Sequence, residues 1–349
     1  MRPRFNPQTL RKLARFRAIR RGYGSFLALV FLAVCSIGGE LLVNSRALVV
    51  RYQGQYYFPT YTAFHPGTDF GEPYSYEVNY RHLRDRFARE QRGDWVLMPP
   101  VPYNAYENDF RPGVFPPTAP SAAERHYLGT DTTGRDVLAR LFYGFRTALI
   151  FSAFYLTFVY LIGIAIGCAM GYFGGGFDLL AQRGVEIWSN IPFLYIVIIV
   201  ASILRPNLAI LLVITVLFSW TSMTYYMRTA TYKEKARDYV AAAEVLGAGT
   251  FRIIFHHILP NTLSTIVTFI PFTVAGAITL LTALDFLGFG LPPPTPSWGE
   301  LLHQGTSNLN APWIVTSAFV AMVFVLSLVT FVGEAVREAF DPKKFTTYR

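Results

Sequence analysis

Residues 126–149 read HYLGTDTTGRDVLARLFYGFRTAL, and the chain then runs without a charge for 28 residues, Leu149 to Gly176. A polar segment dense in Gly, Asp and Arg feeds straight into a stretch long enough to cross a bilayer, which takes ~20 mostly apolar residues. Six windows in the chain meet that length: Phe26–Val43, Ala148–Phe173, Ile187–Leu204, Leu208–Met227, Thr262–Leu284 and Pro312–Gly333. Glycines (Gly163, Gly167, Gly276) and prolines (Pro192, Pro271) inside them are tolerated, because neighbouring helices cover the disturbed backbone. The expected fold class is therefore an all-α polytopic membrane protein with six transmembrane helices and one enlarged, irregular external loop.

Composition agrees. The 349 residues are 52% hydrophobic and 15% charged, where soluble domains carry roughly 25% charged residues. The net charge of +9 raises nucleic acid as a partner. However, Arg2, Arg4, Arg11, Lys12, Arg15, Arg17, Arg20 and Arg21 cluster ahead of the first window with no acidic residue among them. That is the cytoplasmic flank of a membrane helix, not a nucleic-acid face. The first window is expected to stay uncleaved, since its apolar run exceeds a signal-peptide core and no A-x-A-like site follows.

Basic flanks set the expected topology. Residues 1–25 lie in the cytoplasm, 26–43 form the first span and 44–147 an external cap. Residues 148–333 form a five-helix core with an internal loop at 228–261, and 334–349 return to the cytoplasm. Val78–Gln91 reads as a short helix with Arg81, Arg84, Asp85 and Arg89 on its wet face. The cap serves either as a docking surface for an external partner or as a lid packed on its own helices; its length permits both.

Several chemistries lack their residues. No Gly-Lys dipeptide occurs, so there is no phosphate-binding loop. The six histidines make no HExxH pair, and Cys35 and Cys168 imply neither zinc nor a disulfide framework. The cores of the six windows carry no charge, whereas proton-coupled carriers place ionisable groups at membrane depth. No catalytic residue and no cofactor is expected. Asp285, just beyond the fifth window, reads as a structural carboxylate at a helix end.

The internal loop holds Tyr239-Val240-Ala241-Ala242-Ala243-Glu244-Val245-Leu246-Gly247, and further on Leu259-Pro260-Asn261. Ala241–Ala243 favour a helix of little bulk. Gly247-Ala248-Gly249 breaks it, and Thr250 can cap a second helix. Phe251, Ile254, Phe255 and Ile258 recur at helical spacing as an apolar face, and Pro260 closes the element. Such a helix–turn–helix can enter a groove on a partner.

This element resembles the cytoplasmic EAA loop of ABC importer permeases. The match falls on Ala242, Ala243, Gly247, Leu259 and Pro260, and departs at Ala241, where the pattern has Glu, and at His257, where it often has an aliphatic residue. Two further blocks resemble the oligopeptide/dipeptide branch of that family. One is His126-x-Leu128-Gly129-Thr130-Asp131-x-x-Gly134-Arg135-Asp136. The other runs from Leu284-Asp285-Phe286-Leu287-Gly288 to Ser297-Trp298-Gly299-Glu300. Gly333-Glu334-Ala335-Val336-Arg337-Glu338-Ala339-Phe340-Asp341-Pro342 resembles the family's ending. Ala14-Arg15-Phe16-Arg17 and Arg51-Tyr52 with Tyr57-Phe58-Pro59 are most similar to the Yej-type subunits, which have an enlarged external loop. For the external block, turn and cap geometry stands beside direct contact with substrate or its delivery protein.

The resemblance implies the type I ABC importer permease fold in a bacterial inner membrane. It implies import of peptides, with peptide antibiotics of the microcin type as a further cargo. The implied partners are a second permease subunit, cytoplasmic ATPase domains and a periplasmic peptide-binding protein, in contact with membrane lipid. The ATPase-coupling residues are then Tyr239, Ala242, Ala243, Gly247, Leu259 and Pro260. The alternatives are a stand-alone secondary carrier, a permease for nickel or glycosides, and a membrane-embedded enzyme.

Overall fold

The computed structural model describes residues 7–340. Arg2 and Arg4 of the basic cluster, and Asp341, Pro342, Lys343, Lys344 and Arg349 at the other end, lie outside the described residues. The described chain is mostly helical. In order it forms α1 (Pro7–Ala18), α2 (Arg20–Ile37), β1 (Val49–Tyr52), β2 (Gln55–Tyr57), α3 (Tyr80–Glu90), β3 (Trp95–Leu97), α4 (Val137–Phe173), α5 (Gly175–Ser189) and α6 (Phe193–Ile203). There follow α7 (Leu208–Lys235), α8 (Asp238–Val245), one turn α9 (Thr250–Arg252), a π-helical segment (Ile253–Ile258), α10 (Leu259–Phe286), α11 (Trp298–Ser307) and α12 (Pro312–Phe340).

Five of these helices, α2, α4, α7, α10 and α12, have a window long and apolar enough to cross a membrane. The bent pair α5 and α6 makes a sixth candidate. The window Ile187–Leu204 is thus not one helix: α5 starts at Gly175 and α6 follows it at 62° across Asn190, Ile191 and Pro192. Pro192 has no N–H with which to continue the ladder. The first window is also shifted. Its helix starts at Arg20 and stops at Ile37, and Val43 has left it to bridge Val101. The other helices overrun their apolar windows, because charged turns extend a helix once it leaves the apolar stretch. Thus α4 starts at Val137, α7 continues to Lys235 and α12 to Phe340.

The chain divides into two compact units. One takes Met1–Leu29, Ile150–Leu281 and Val325–Arg349, and its described residues are mostly helical. Its packing rests on Gly163, Gly167 and Gly171 of α4, spaced by four. A Cβ there would lie 2.7 Å from the Met223 Cβ, 2.5 Å from the Thr224 carbonyl oxygen and 2.6 Å from the Thr231 Cβ, respectively. The small-residue stripe is what lets α4 and α7 meet backbone to backbone. At the end of α7, Arg228 binds Asp178 of α5 through Nε at 2.5 Å and Nη2 at 2.6 Å, and the Tyr232 hydroxyl donates to the same carboxylate at 2.7 Å.

The other unit takes Val30–Leu149 and Thr282–Phe324. Its loop is less irregular than the sequence suggests. It holds an antiparallel sheet in the order β2-β1-β3, with Val50 opposite Tyr57 and Val96. Ala47, Val50 and Val96 pack there with Phe70, Val78, Tyr80, Leu83, Phe87 and Met98, and Tyr52 stacks on Phe87 at 5.6 Å. Strands of three or four residues are too short to register as alternation, which is why they escape a sequence reading. Helix α3 falls within the expected Val78–Gln91, capped by Asn79, which accepts from Arg81 and His82 N–H. Arg81 is not on the wet face. It turns inward, donating to the Pro102 carbonyl at 2.8 Å and forming a two-pronged pair with Glu107.

Candidate functional site

The polar block at 126–136 folds into a buried charge cluster. Asp131 is fully buried, and its Oδ1 accepts from the Thr133 N–H (2.9 Å), the Thr133 hydroxyl (2.8 Å) and the Arg135 N–H (3.0 Å). Its Oδ2 accepts from Arg135 Nε at 2.7 Å. Gly129 and Gly134 take φ of +74° and +84°, and they flank the turn that places these donors. Asp136 caps α4, accepting from the Ala139 N–H at 2.7 Å. Thr130 ties the block down: its hydroxyl accepts from the Thr118 N–H at 2.8 Å, and its carbonyl accepts from the Trp313 indole at 3.1 Å.

Three partners that the sequence reading left without a role complete the cluster. Arg140, one turn into α4, is fully buried. It donates to the carbonyls of Ala105 (3.1 Å), Pro294 (3.2 Å) and Thr295 (3.3 Å), and pairs with Glu300. Glu300 also takes Arg135 Nη2 at 2.9 Å, so one carboxylate bridges two guanidinium groups. Gln304 joins through Thr132, whose hydroxyl donates to it at 2.9 Å. The signal for Arg140 was present: an arginine one turn into a membrane-length helix needs a buried partner.

His126 closes the other side. Its ring is fully buried and stacks on Tyr103 at 3.9 Å. Nδ1 lies 2.7 Å from Asp136 Oδ2 and Nε2 3.1 Å from Asp109 Oδ2. Burial opposes a charge on the ring, but the hydrogen bonds to Asp109 and Asp136 outweigh it and hold the imidazole pKa above its ordinary value. Burial likewise pushes Asp109 up, yet His126, Arg81 and Arg111 prevail and hold its carboxyl below the usual range. Burial raises the Tyr103 hydroxyl to about 12. Asp285 is structural as expected: it accepts from the Leu291 N–H at 2.6 Å and the Ser297 hydroxyl at 2.5 Å, and Ser297 in turn caps α11.

The second candidate region is residues 238–261. Helix α8 carries Tyr239, Ala242 and Ala243; Ala243 is buried and Ala242 exposed. Gly247 ends it at φ +80°. The Gly247 N–H donates to the Glu244 carbonyl at 2.9 Å and the Ala248 N–H to Ala243 at 3.0 Å, the double bond of a Schellman motif. Two details differ from expectation. The second helix is capped by Gly249 with no side-chain bond, so Thr250 does not cap it. Pro260 does not close the element either. The π-helical segment widens the ladder just before it, with the Leu259 N–H reaching back to Ile254, and the chain passes through Leu259 and Pro260 into α10. A wider turn relieves the clash between a proline ring and the preceding carbonyls.

The π spacing also re-sorts the apolar face. Ile253 and Ile258 turn inward against Val240, Tyr172 and Ala248. Phe251 and Phe255 turn outward, 79% and 56% exposed, with rings stacked 6.4 Å apart. Val245 and Leu246 are 88% and 87% exposed. The element therefore holds itself with one small apolar cluster and presents four large apolar side chains to its surroundings. Exposed apolar groups of this kind suit contact with another protein or with the membrane surface.

Residues 163–346 match the family of binding-protein-dependent transport system inner membrane components. The chain is 42% identical to the inner membrane ABC transporter permease protein YejE of Escherichia coli strain K12, over 98% of this chain and 99% of that protein. It is 39% identical to the peptidoglycan transport system permease protein YejE of Agrobacterium fabrum, over 98% and 95%. It is 34% identical to the dipeptide transport system permease protein DppC of Haemophilus influenzae, over 71% and 85%. Among solved structures, an inward-facing MetNI methionine ABC transporter chain aligns over 57% of this chain and 94% of its own, with a TM-score of 0.48 and 17% identity. The chain belongs to the family of binding-protein-dependent ABC transport permeases, alongside the YejE and dipeptide-type membrane subunits.

Proposed function

We propose that this chain is one membrane half of a peptide importer in a bacterial inner membrane. A second permease subunit completes the pore, cytoplasmic ATPase domains supply the energy, and an external peptide-binding protein delivers the cargo. The observation that carries this reading is full-length similarity to permeases of this kind, together with the outward Val245, Leu246, Phe251 and Phe255 on the element that bears the coupling-loop residues. Tyr239, Ala242, Ala243, Gly247, Leu259 and Pro260 then form the part that enters the ATPase groove. Closure of the ATPase pair pushes this element, and the push is passed to α7 and α10, between which it is strung. The chain binds and transmits; its differential preference for two states does the work.

Gly129, Thr130, Asp131, Gly134, Arg135 and Asp136 act as a rigid external lock, not a peptide-contacting surface. Their polar atoms are turned on one another and on Arg140, Glu300, Gln304 and Trp313. Both termini lie inside, and 44–147 outside. The test is reconstitution of the chain with its second permease, ATPase and binding protein in proteoliposomes. ATP-dependent uptake of labelled peptide is expected, with none from the chain alone. Uptake that proceeds without any ATPase partner contradicts the reading and favours a secondary carrier.

A further inference from the structure

The 238–261 element contains a polar chain that its apolar packing does not require. The Tyr239 hydroxyl donates to Glu234 Oε2 at 2.5 Å. The same hydroxyl accepts from Asn261 Nδ2 at 3.1 Å. Asn261 Nδ2 also donates to the His257 carbonyl at 2.7 Å, and the Tyr239 oxygen lies 3.4 Å from that carbonyl. Side chains of Glu234, Tyr239 and Asn261, with one carbonyl, thereby tie together the last turn of α7, the first turn of α8, the π-helical segment and the first turn of α10.

The position matters because of what surrounds it. Pro260 removes one rung of the helical ladder, and the π turn ahead of it holds its carbonyls in a wider, poorer geometry. A side-chain donor on the His257 carbonyl stabilises the π register against the α alternative. Slipping from five-residue to four-residue spacing rotates every residue on one side of the slip relative to the other. Ile253 and Ile258, five apart, share the buried face only in the π register. Tyr239 reports the position of α8 to the residue that holds this register.

We propose that Tyr239 and Asn261 are positioning residues that couple displacement of α8 to the register, and hence the rotation, of α10. Asn261 is the hinge pin: its amide reaches both the moving helix and the carbonyl of the π turn. The proposal rests on the ATPase-coupling reading above and adds the route by which the push leaves the element.

The test uses the full reconstituted complex and measures peptide imported per ATP hydrolysed. Both residues lie near the surface, so the variants should insert and assemble, which is checked by the yield of intact complex. Tyr239→Phe and Asn261→Leu should each lower the ratio about threefold, within the range of one net hydrogen bond. The double variant should lie close to Asn261→Leu alone, because both act through one chain of contacts. Asn261→Asp keeps the shape but turns an acceptor toward the His257 carbonyl, and should lower the ratio at least as far as Leu. A merely structural role predicts a constant ratio with less complex, additive single effects and a harmless Asp; any of these overturns the clamp. If the unaltered complex shows no ATP-driven uptake, the functional reading fails and the clamp with it.

Discussion

The buried charge cluster around Asp131 and the helical element around Gly247 are built on opposite principles. In the first, Asp131, Asp136, Arg135 and Arg140 are withdrawn from water and each is met by several partners at hydrogen-bond distance. In the second, three buried aliphatic side chains hold the element while its largest apolar groups face outward. A network of buried charges that meet one another has few good arrangements, since removing a member strands its partners. A short helix, a glycine turn and a π segment have alternatives close in energy. The first region is therefore held by many specific contacts, and the second by a small cluster that leaves it freer to shift.

The contrast is broken most severely at Arg140. Replacing it by alanine leaves Glu300 and Asp131 short of a buried cation. A loss of ~3–5 kcal/mol, the usual cost of removing one partner of a buried pair, is expected. Thermal unfolding in detergent should show it as a large fall in melting temperature and in membrane yield. A melting temperature within a degree or two of the parent would mean the cluster is not a lock. Gly247→Leu comes next. A leucine there meets open space but must adopt φ of +80°, which costs roughly 1–2 kcal/mol for a residue with a Cβ. Peptide uptake should fall strongly while insertion persists and the melting temperature falls by much less than for the Arg140 variant.

A gentler probe of the lock is pH. Each ring nitrogen of His126 faces a carboxylate oxygen, an arrangement in which a doubly protonated ring donates to both. The folded pKa of His126 is raised, so its contribution is fully present below the unfolded value of ~6.5 and is lost as pH rises through the folded pKa. Asp109, held low, contributes above its unfolded pKa and loses that contribution as pH falls through the folded one. Stability of the loop-bearing unit should therefore fall on both the alkaline and the acid side. His126→Gln should abolish the alkaline arm, as read by hydrogen exchange in residues 103–136. An unchanged alkaline arm in that variant would assign it to another group.

Much of this was legible in the residues, and the failures have physical causes. The spans were visible because bilayer length and absence of charge are properties of composition. Their ends were not, since a helix continues past its apolar stretch wherever caps and charged turns allow, as at Val137 and Lys235. The bend at Asn190–Pro192 was hidden because the Pro192 of a kinked span and that of a broken one look alike in sequence. The glycine turn at 247 was readable from residue type alone. The π segment was not: it comes from the conflict between Pro260 and the helix that runs through it. Across it the expected apolar face divides, with Ile258 buried and Phe251 and Phe255 exposed. Asp131, Arg135 and Asp136 stood out as a motif, but Glu300 and Gln304 became their partners only through contacts more than a hundred residues apart, and Arg140 only by reaching from the first turn of α4 back to the preceding loop.

The smallest structural perturbation gives the most direct test of the central claim that the outward edge of the element meets the ATPase. Leu246 is 87% exposed, so Leu246→Cys, on a background with Cys35 and Cys168 replaced by serine and alanine, should leave stability within about 0.5 kcal/mol, as surface substitutions do. In the assembled complex, a short thiol-reactive cross-linker should join the introduced thiol to the ATPase subunit. Cross-linking should block peptide uptake, and a control Ser75→Cys variant, in the loop-bearing unit, should give no such product. Efficient uptake by a complex in which the Leu246→Cys thiol never cross-links to the ATPase would contradict the account.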